Sequence, residues 1–210
     1  MSAESGREDC VQMLLPGTAA GVMGASYIPS LSGFDNTMCL DIGGTSADVA
    51  FIINALPQYG VGEVIGDFPI YVPSVAVTSI GAGGGSIAWV DDLGVLRVGP
   101  ESAGSTPGPA CYGRGGERPT TTDAFAILGY IGQFDIGYSA IDVDVEKSRS
   151  AMEPIAKRLE LSVEETAQAI IDISVSGMYM EVSKLISRYA NDPREFVLQA
   201  FGGAGPMMGC

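Results

Sequence analysis

Short apolar runs separated by glycine turns dominate the first half of the chain, a pattern that predicts strands. Residues 37–41 read as one strand, 42–46 as a glycine turn and 47–53 as the returning strand, a β-hairpin whose tip is flanked by Asp41 and Asp48. A further strand is predicted over 71–80, followed by a glycine run at 81–86. Two short strands at 87–90 and 95–98 are joined by a turn at Asp91-Asp92-Leu93-Gly94.

The second half changes period. Residues 122–128 suit a short helix with an N-cap at Thr122-Asp123, and 145–159 suit a second helix. Ser162 and Glu165 carry the capping-box spacing that opens a long helix to about Tyr189, apolar on several faces and therefore expected to be mostly buried. Residues 195–201 read as a buried strand ending in Gly202-Gly203-Ala204-Gly205-Pro206. An Ala- and Gly-rich stretch at 18–31 predicts one more helix, packed closely on a neighbour. Hairpins first and helices later predict a mixed α/β domain. Residues 1–15 are polar enough to be expected disordered, with 16–210 forming the domain. The long stretch 99–119, with four prolines, reads as an ordered functional loop.

Composition narrows the chemistry. Eleven Lys and Arg against 25 Asp and Glu give a net charge of −14, which excludes a nucleic-acid role and disfavours a membrane surface. The chain has no apolar run long enough to span a membrane and no signal-peptide pattern, so a cytoplasmic location is expected. Cys10, Cys39, Cys111 and Cys210 form no CxxC pair, which argues against a zinc knuckle or a disulfide framework. Histidine is absent, so no His base and no His-ligated metal operates within this chain. Carboxylates and backbone amides must carry any chemistry.

Three glycine segments suit that requirement. In Asp41-Ile42-Gly43-Gly44-Thr45-Ser46-Ala47-Asp48, paired glycines bring backbone amides close to an anion, Thr45 adds a hydroxyl, and two carboxylates can hold a magnesium ion or a water. The same residues also suit an ordinary hairpin tip. Gly202, Gly203 and Gly205 after a strand leave room for a flat base or sugar, although the dinucleotide-binding spacing is missing. Gly83, Gly84 and Gly85 with Ser86 suit either a functional loop or a hinge. Glu101 and Asp123 are the other candidates, each also readable as a cap or a solvated carboxylate.

Taken in order, these segments resemble the hydantoinase A/5-oxoprolinase family, which includes N-methylhydantoinase subunits and acetone carboxylase beta subunits. The resemblance rests on the 41–49 hairpin, Gly81-Ala82-Gly83-Gly84-Gly85-Ser86, Val98-Gly99-Pro100-Glu101-Ser102-Ala103-Gly104 with Pro107-Gly108-Pro109-Ala110-Cys111-Tyr112-Gly113, Thr122-Asp123-Ala124 and Phe201 to Pro206. It implies a partial actin-like ATPase (ribonuclease H-like) fold that takes ATP and Mg2+. It further implies that Asp41 and Asp48 act at the phosphates, with Asp41 near the metal. Gly43, Gly44, Thr45 and Ser46 would grip the phosphates, and Gly202, Gly203 and Gly205 would meet the adenosine. Gly83, Gly84, Gly85, Ser86, Glu101 and Asp123 would line the substrate loop. The implied activity is ATP-dependent opening of a small cyclic amide (hydantoin, N-methylhydantoin or 5-oxoproline) with a second, hydantoinase B-like subunit. A ketone carboxylase subunit and a non-catalytic interaction module of the same fold are the alternatives. The family's first phosphate hairpin, DxGGTxTD, has no counterpart before Asp41, and the residues after Pro206 depart from the family's GGAGPxHA. A site altered, incomplete, or completed by another polypeptide is expected.

Overall fold

The computed structural model describes residues 4, 7, 16–60, 63–65, 68–70, 74–132, 142–189 and 192–209. The expectation of disorder over 1–15 thus falls almost wholly outside the described residues, as do Cys10 and Cys210. Contacts divide the chain into two compact units, one of residues 1–41, 48–79 and 190–200, the other of 42–47, 80–189 and 201–210. No compositional break marks this division, because each unit is assembled from separated stretches of chain.

The first unit holds helix α1 (Pro16–Ser32) and most of a five-stranded sheet. Strands β1 (Thr37–Ile42), β2 (Ala47–Ile53), β3 (Leu56–Pro57) and β11 (Val197–Phe201) follow the order β11-β1-β2-β3, and β8 (Val77–Ile80) pairs with β2. Pairs β4 (Tyr59–Gly60) with β7 (Ser74–Val75) and β5 (Glu63–Ile65) with β6 (Phe68–Ile70) form two small ribbons. The β1–β2 hairpin therefore forms where its alternation predicts. The single strand expected over 71–80 is instead two, and residues 71–73 lie outside the described set. Asn54 and Ala55 join β2 to β3 with φ of 53° and 59°, the left-handed pair a two-residue hairpin turn requires. The Asn36 side chain steadies this turn by accepting from Asn54 N–H at 3.0 Å.

Core packing in this unit comes from Cys39, Leu40, Val49, Ala50, Phe51 and Ile52, with Phe196 edge-on to Phe51 at 5.5 Å between centroids. Helix α1 buries Val22, Ala25 and Pro29 but leaves Met23, Tyr27, Ile28 and Leu31 exposed. A Cβ at Gly17 or Gly24 would meet nothing within 4 Å, so these two glycines of α1 do not serve the close packing expected of the helix. The segment 195–201 also differs from expectation. Asp192 caps a 3-10 turn at Pro193–Glu195, which delays the strand to Val197–Phe201, and Val197 and Leu198 are exposed.

The second unit is built on the hairpin of β9 (Ser86–Val90) and β10 (Leu96–Ser102) and on three helices, α2 (Thr121–Ile127), α3 (Val145–Leu159) and α4 (Val163–Tyr189). The predicted turn between β9 and β10 is held by Asp91, whose Oδ1 accepts from Leu93 N–H at 3.0 Å and Val95 N–H at 2.9 Å. These backbone donors, with the Arg97 guanidinium, keep its carboxyl below the usual range. Every residue of α2 is buried. Its cap is Thr120 rather than Thr122, because Thr120 and Asp123 close the reciprocal capping box two residues earlier. Helix α3 spans its predicted limits, with Asp144 as N-cap.

The Ser162–Glu165 box opens α4 as predicted, with Ser162 Oγ donating to Glu165 Oε2 at 2.7 Å and accepting from Glu165 N–H at 3.2 Å. Its burial is narrower than expected. Thr166, Ala167, Ile170, Ile171, Ser174, Met178 and Leu185 form one buried stripe, whereas Val175, Tyr179 and Met180 are exposed. A short helix α5 (Gly205–Met208) closes the described chain. Among the described residues, no helix is long and apolar enough to cross a membrane.

Candidate functional site

The turn between β1 and β2 presents backbone amides outward. Gly43 N–H closes it by donating to Ser46 O at 2.9 Å. The next three N–H groups, of Gly44, Thr45 and Ser46, meet no acceptor among the described residues, and Gly44 and Thr45 are exposed. A Cβ on Gly44 would touch nothing within 4 Å. Successive unpaired amides beside two hydroxyls are suited to an anion such as phosphate.

The opposite side of that turn is occupied by the glycine run. Gly84 N–H donates to Gly43 O at 3.0 Å and Gly85 N–H to Gly44 O at 2.6 Å. A Cβ at Gly83 would lie 2.9 Å from Gly43 O and Gly44 O, and one at Gly85 would lie 2.7 Å from Gly44 O. Only glycine permits this backbone-on-backbone approach. Ser86, expected to line the substrate loop, is buried and accepts from Gly83 N–H at 2.9 Å, closing the run on itself. Residues 83–86 thus buttress the turn and present no open face of their own.

The late glycine turn lies in the same unit. Ala204 N–H donates to Ile42 O at 2.9 Å, which ties the turn to the start of the β1–β2 tip. Gly202 adopts φ +84°, and both Gly202 and Gly203 are exposed with nothing near a Cβ on Gly203. Immediately beyond, Pro206 and Met207 form one wall of a cleft of about 660 Å³. Phe125, Tyr130 and Ile171 supply further apolar walls, and Gln168, Asp172 and Ser176 put polar groups on one face of α4. A flat aromatic heterocycle suits such a cleft, apolar with a few convergent polar groups.

Asp41 and Asp48 both belong to the first unit, three residues along the chain from Gly44 and Thr45 respectively. Ser79 Oγ donates to Asp48 Oδ1. Burial, and then the negative charge of Asp48, push the Asp41 carboxyl above its ordinary range. A carboxylate held against its solvation and its neighbour's charge is suited to a cation. Two carboxylates meet what Mg2+ asks of a protein when phosphate oxygens and waters complete its shell. Among the described residues no cluster of three or more metal-ligating acids or cysteines exists, so any ion would rest on this pair and its ligand.

Asp123 and Glu101 part company. Asp123 is wholly buried and accepts five hydrogen bonds: from Cys111 N–H (2.8 Å) and Ser148 Oγ (2.7 Å) on Oδ1, and from Thr120 N–H (2.9 Å), Thr120 Oγ1 (2.8 Å) and Ala110 N–H (3.2 Å) on Oδ2. It joins the 3-10 turn Ala110–Tyr112 to α2 and α3, out of reach of any substrate. Its neighbour Cys111 is driven to a pKa of about 12 by burial and then by the Asp123 charge, so the thiol is inert. Burial, then the Asp41 charge, drives Cys39 to about 12 likewise. Glu101 is exposed and paired bidentately with Arg118 at 2.6 and 2.9 Å, which keeps its carboxyl below the usual range. That pair edges a cleft of about 400 Å³ lined by Ile87 of β9, the end of β10 and residues between 103 and 118.

Two residues that pattern reading assigned to a helix cap and a glycine turn matter to the β1–β2 turn in another way. Thr122 donates both its N–H (2.7 Å) and its Oγ1 (2.8 Å) to Gly84 O, and Ala204 anchors Ile42. The Thr-Thr-Thr-Asp run signals helix capping, and nothing local to it shows that one hydroxyl reaches a carbonyl 38 residues away.

A family model described as hydantoinase/oxoprolinase matches residues 1–210. The chain is 40% identical over 193 residues to the acetophenone carboxylase gamma subunit of Aromatoleum aromaticum, a match covering 90% of this chain and 26% of that one. It is 36% identical over 202 residues to caprolactamase subunit alpha of Pseudomonas jessenii, covering 96% and 29% respectively. The nucleotide-free structure of acetone carboxylase, from work on ATP-dependent acetone carboxylation, superposes with a TM-score of 0.83 at 34% identity, covering 91% of this chain and 27% of that one. The mixed α/β fold is therefore shared, and the chain spans less than a third of the length of these relatives.

Proposed function

From the premise that this chain belongs to the hydantoinase/oxoprolinase family, we propose that it is the phosphate- and adenosine-binding part of a cytoplasmic, ATP-dependent enzyme that opens a small cyclic amide: hydantoin, N-methylhydantoin or 5-oxoproline. The observation that carries this reading is the set of three outward, unpaired amides at Gly44, Thr45 and Ser46, held from behind by the glycine run. On an actin-like reading of the fold, this turn is the second phosphate hairpin. Gly202, Gly203 and Gly205 then form the adenosine turn, with the base in the cleft beside Pro206 and Met207.

The roles follow from the chemistry of phosphoryl transfer, in which positioning and charge stabilisation do most of the work. The amides of 44–46 hold phosphate oxygens without adding a competing charge. Asp41 and Asp48 would hold Mg2+, which when bound neutralises phosphate charge. A phosphorylated amide oxygen makes the ring carbonyl a better electrophile for water. A second, hydantoinase B-like subunit is the proposed partner, since relatives carry subunit names. The similarity to acetophenone and acetone carboxylases favours one alternative, activation of a ketone for carboxylation at the same nucleotide site.

Calorimetric titration with a non-hydrolysable ATP analogue and Mg2+ tests the reading. It is run on the chain alone and with a family segment carrying DxGGTxTD. Binding in either format that is abolished by Asp41→Ala is the expected result. Tight binding unaffected by that substitution, or no binding in both formats, overturns the site.

A further inference from the structure

We propose that Thr122 is a positioning residue for the phosphate turn, acting through the Gly84 carbonyl on the backbone of Gly43 and Gly44; this rests on the phosphate-binding reading above. Thr122 is the second residue of α2, and the first amides of a helix have no partner inside it. Its N–H finds one outside, on Gly84 O at 2.7 Å, and its Oγ1 donates to the same oxygen at 2.8 Å. A carbonyl has two lone pairs, so both donors are accommodated and the Gly84 peptide is held in one orientation. From that peptide the hold passes on, because Gly84 N–H bonds Gly43 O at 3.0 Å and Gly85 N–H bonds Gly44 O at 2.6 Å.

The three consecutive threonines divide their work. Thr120 closes the capping box with Asp123, and Thr121 Oγ1 lies 3.4 Å from Ser174 Oγ on α4. Only Thr122 among them faces the glycine run. The contact is close: a Cβ on Gly84 would sit 2.8 Å from Thr122 Oγ1, and Thr122 is buried.

Thr122 touches no phosphate in this arrangement, and it carries no charge. Its effect on a bound nucleotide is on where the amides of 44–46 point. Amides that must meet several phosphate oxygens at once are sensitive to displacements of about 1 Å.

Thr122→Val keeps the shape and removes the hydroxyl; Thr122→Ala does so without added bulk, in case valine disturbs folding; Thr122→Ser retains the hydroxyl. Two readouts are taken on each: exchange rates of the Gly84 and Gly85 amides by NMR, and affinity for the ATP analogue with Mg2+ in the format that binds. Valine and alanine are expected to speed exchange at both amides and weaken the analogue about tenfold, the worth of one buried hydrogen bond. Serine is expected to match wild type in both. A merely structural residue would lower the melting temperature in all three without moving affinity below the melt, and that result overturns the proposal. Should wild type bind no analogue while the two amides still lose protection in Thr122→Val, the phosphate reading is what has failed, and the positioning role falls with it.

Discussion

Adding one methyl group at Gly85 tests whether the glycine run is a packing contact or a hinge. An ordinary contact for a Cβ begins at 3.4 Å, and at Gly85 it would stand 2.7 Å from Gly44 O and 2.9 Å from Ser102 Oγ. The serine can turn away. The carbonyl cannot, because it already accepts Gly85 N–H at 2.6 Å, so relieving the overlap means parting the strands of backbone by several tenths of an ångström. Overpacking of this kind costs about 1–3 kcal/mol. Against this stands about 0.4–1 kcal/mol gained because alanine restricts the unfolded chain more than glycine does. A chain of this size loses about 2–4 °C of melting temperature per kcal/mol. The net cost is about 0–2.6 kcal/mol, so Gly85→Ala should melt up to roughly 10 °C below wild type. Gly81 provides the control: its Cβ would meet nothing within 4 Å and its φ is ordinary, so Gly81→Ala should melt at or slightly above wild type. Thermal melts followed by far-ultraviolet circular dichroism decide between them. If Gly85→Ala melts as high as Gly81→Ala, the run is a hinge and the buttress argument is wrong.

Asp123→Asn replaces one of two acceptor oxygens by a donor among five donors, whichever way the amide turns, and should cost about 3 kcal/mol or more in urea unfolding. A midpoint unchanged from wild type would mean that the network around it is not formed. Asp41 should show the opposite sign. Its carboxyl is raised by burial and by Asp48, so the stability it contributes is present when protonated and is lost as the pH climbs through its raised value. Asp41→Asn should therefore melt higher than wild type near pH 7, with the gain gone by about pH 3, where both forms are neutral. Equal gains at the two pH values would show that the charge is not the cause.

Elements with local signals were legible in the sequence. The Ser162–Glu165 box and the Asp91 turn each depend on residues within four positions of one another, and each forms where its pattern places it. The start of α2 was misplaced because three threonines offer three caps, and only the Thr120–Asp123 spacing satisfies both halves of the box. The strand after Asp192 was drawn too early because Asp-Pro caps a 3-10 turn as readily as it precedes a strand. For the site, paired glycines at 43–44 and 202–203 were visible as motifs. What Gly83, Gly84 and Gly85 do was not, since their partners lie about forty residues upstream and downstream and only folding brings them together. Asp123 was visible as an acid near a turn, and its donors on Ala110, Cys111 and Ser148 were not, because only folding brings them to it.

The contact between the glycine run and the turn contains no side chain of either partner, only peptide groups. Such a joint has little vocabulary for gradual change on one side: a side chain at Gly83, Gly84 or Gly85 is a collision, whereas Gly43 and Gly44 have room for one. Under the proposed reading, a change at the glycine run would therefore reach a bound phosphate through the backbone of the turn alone, with no side chain to soften it.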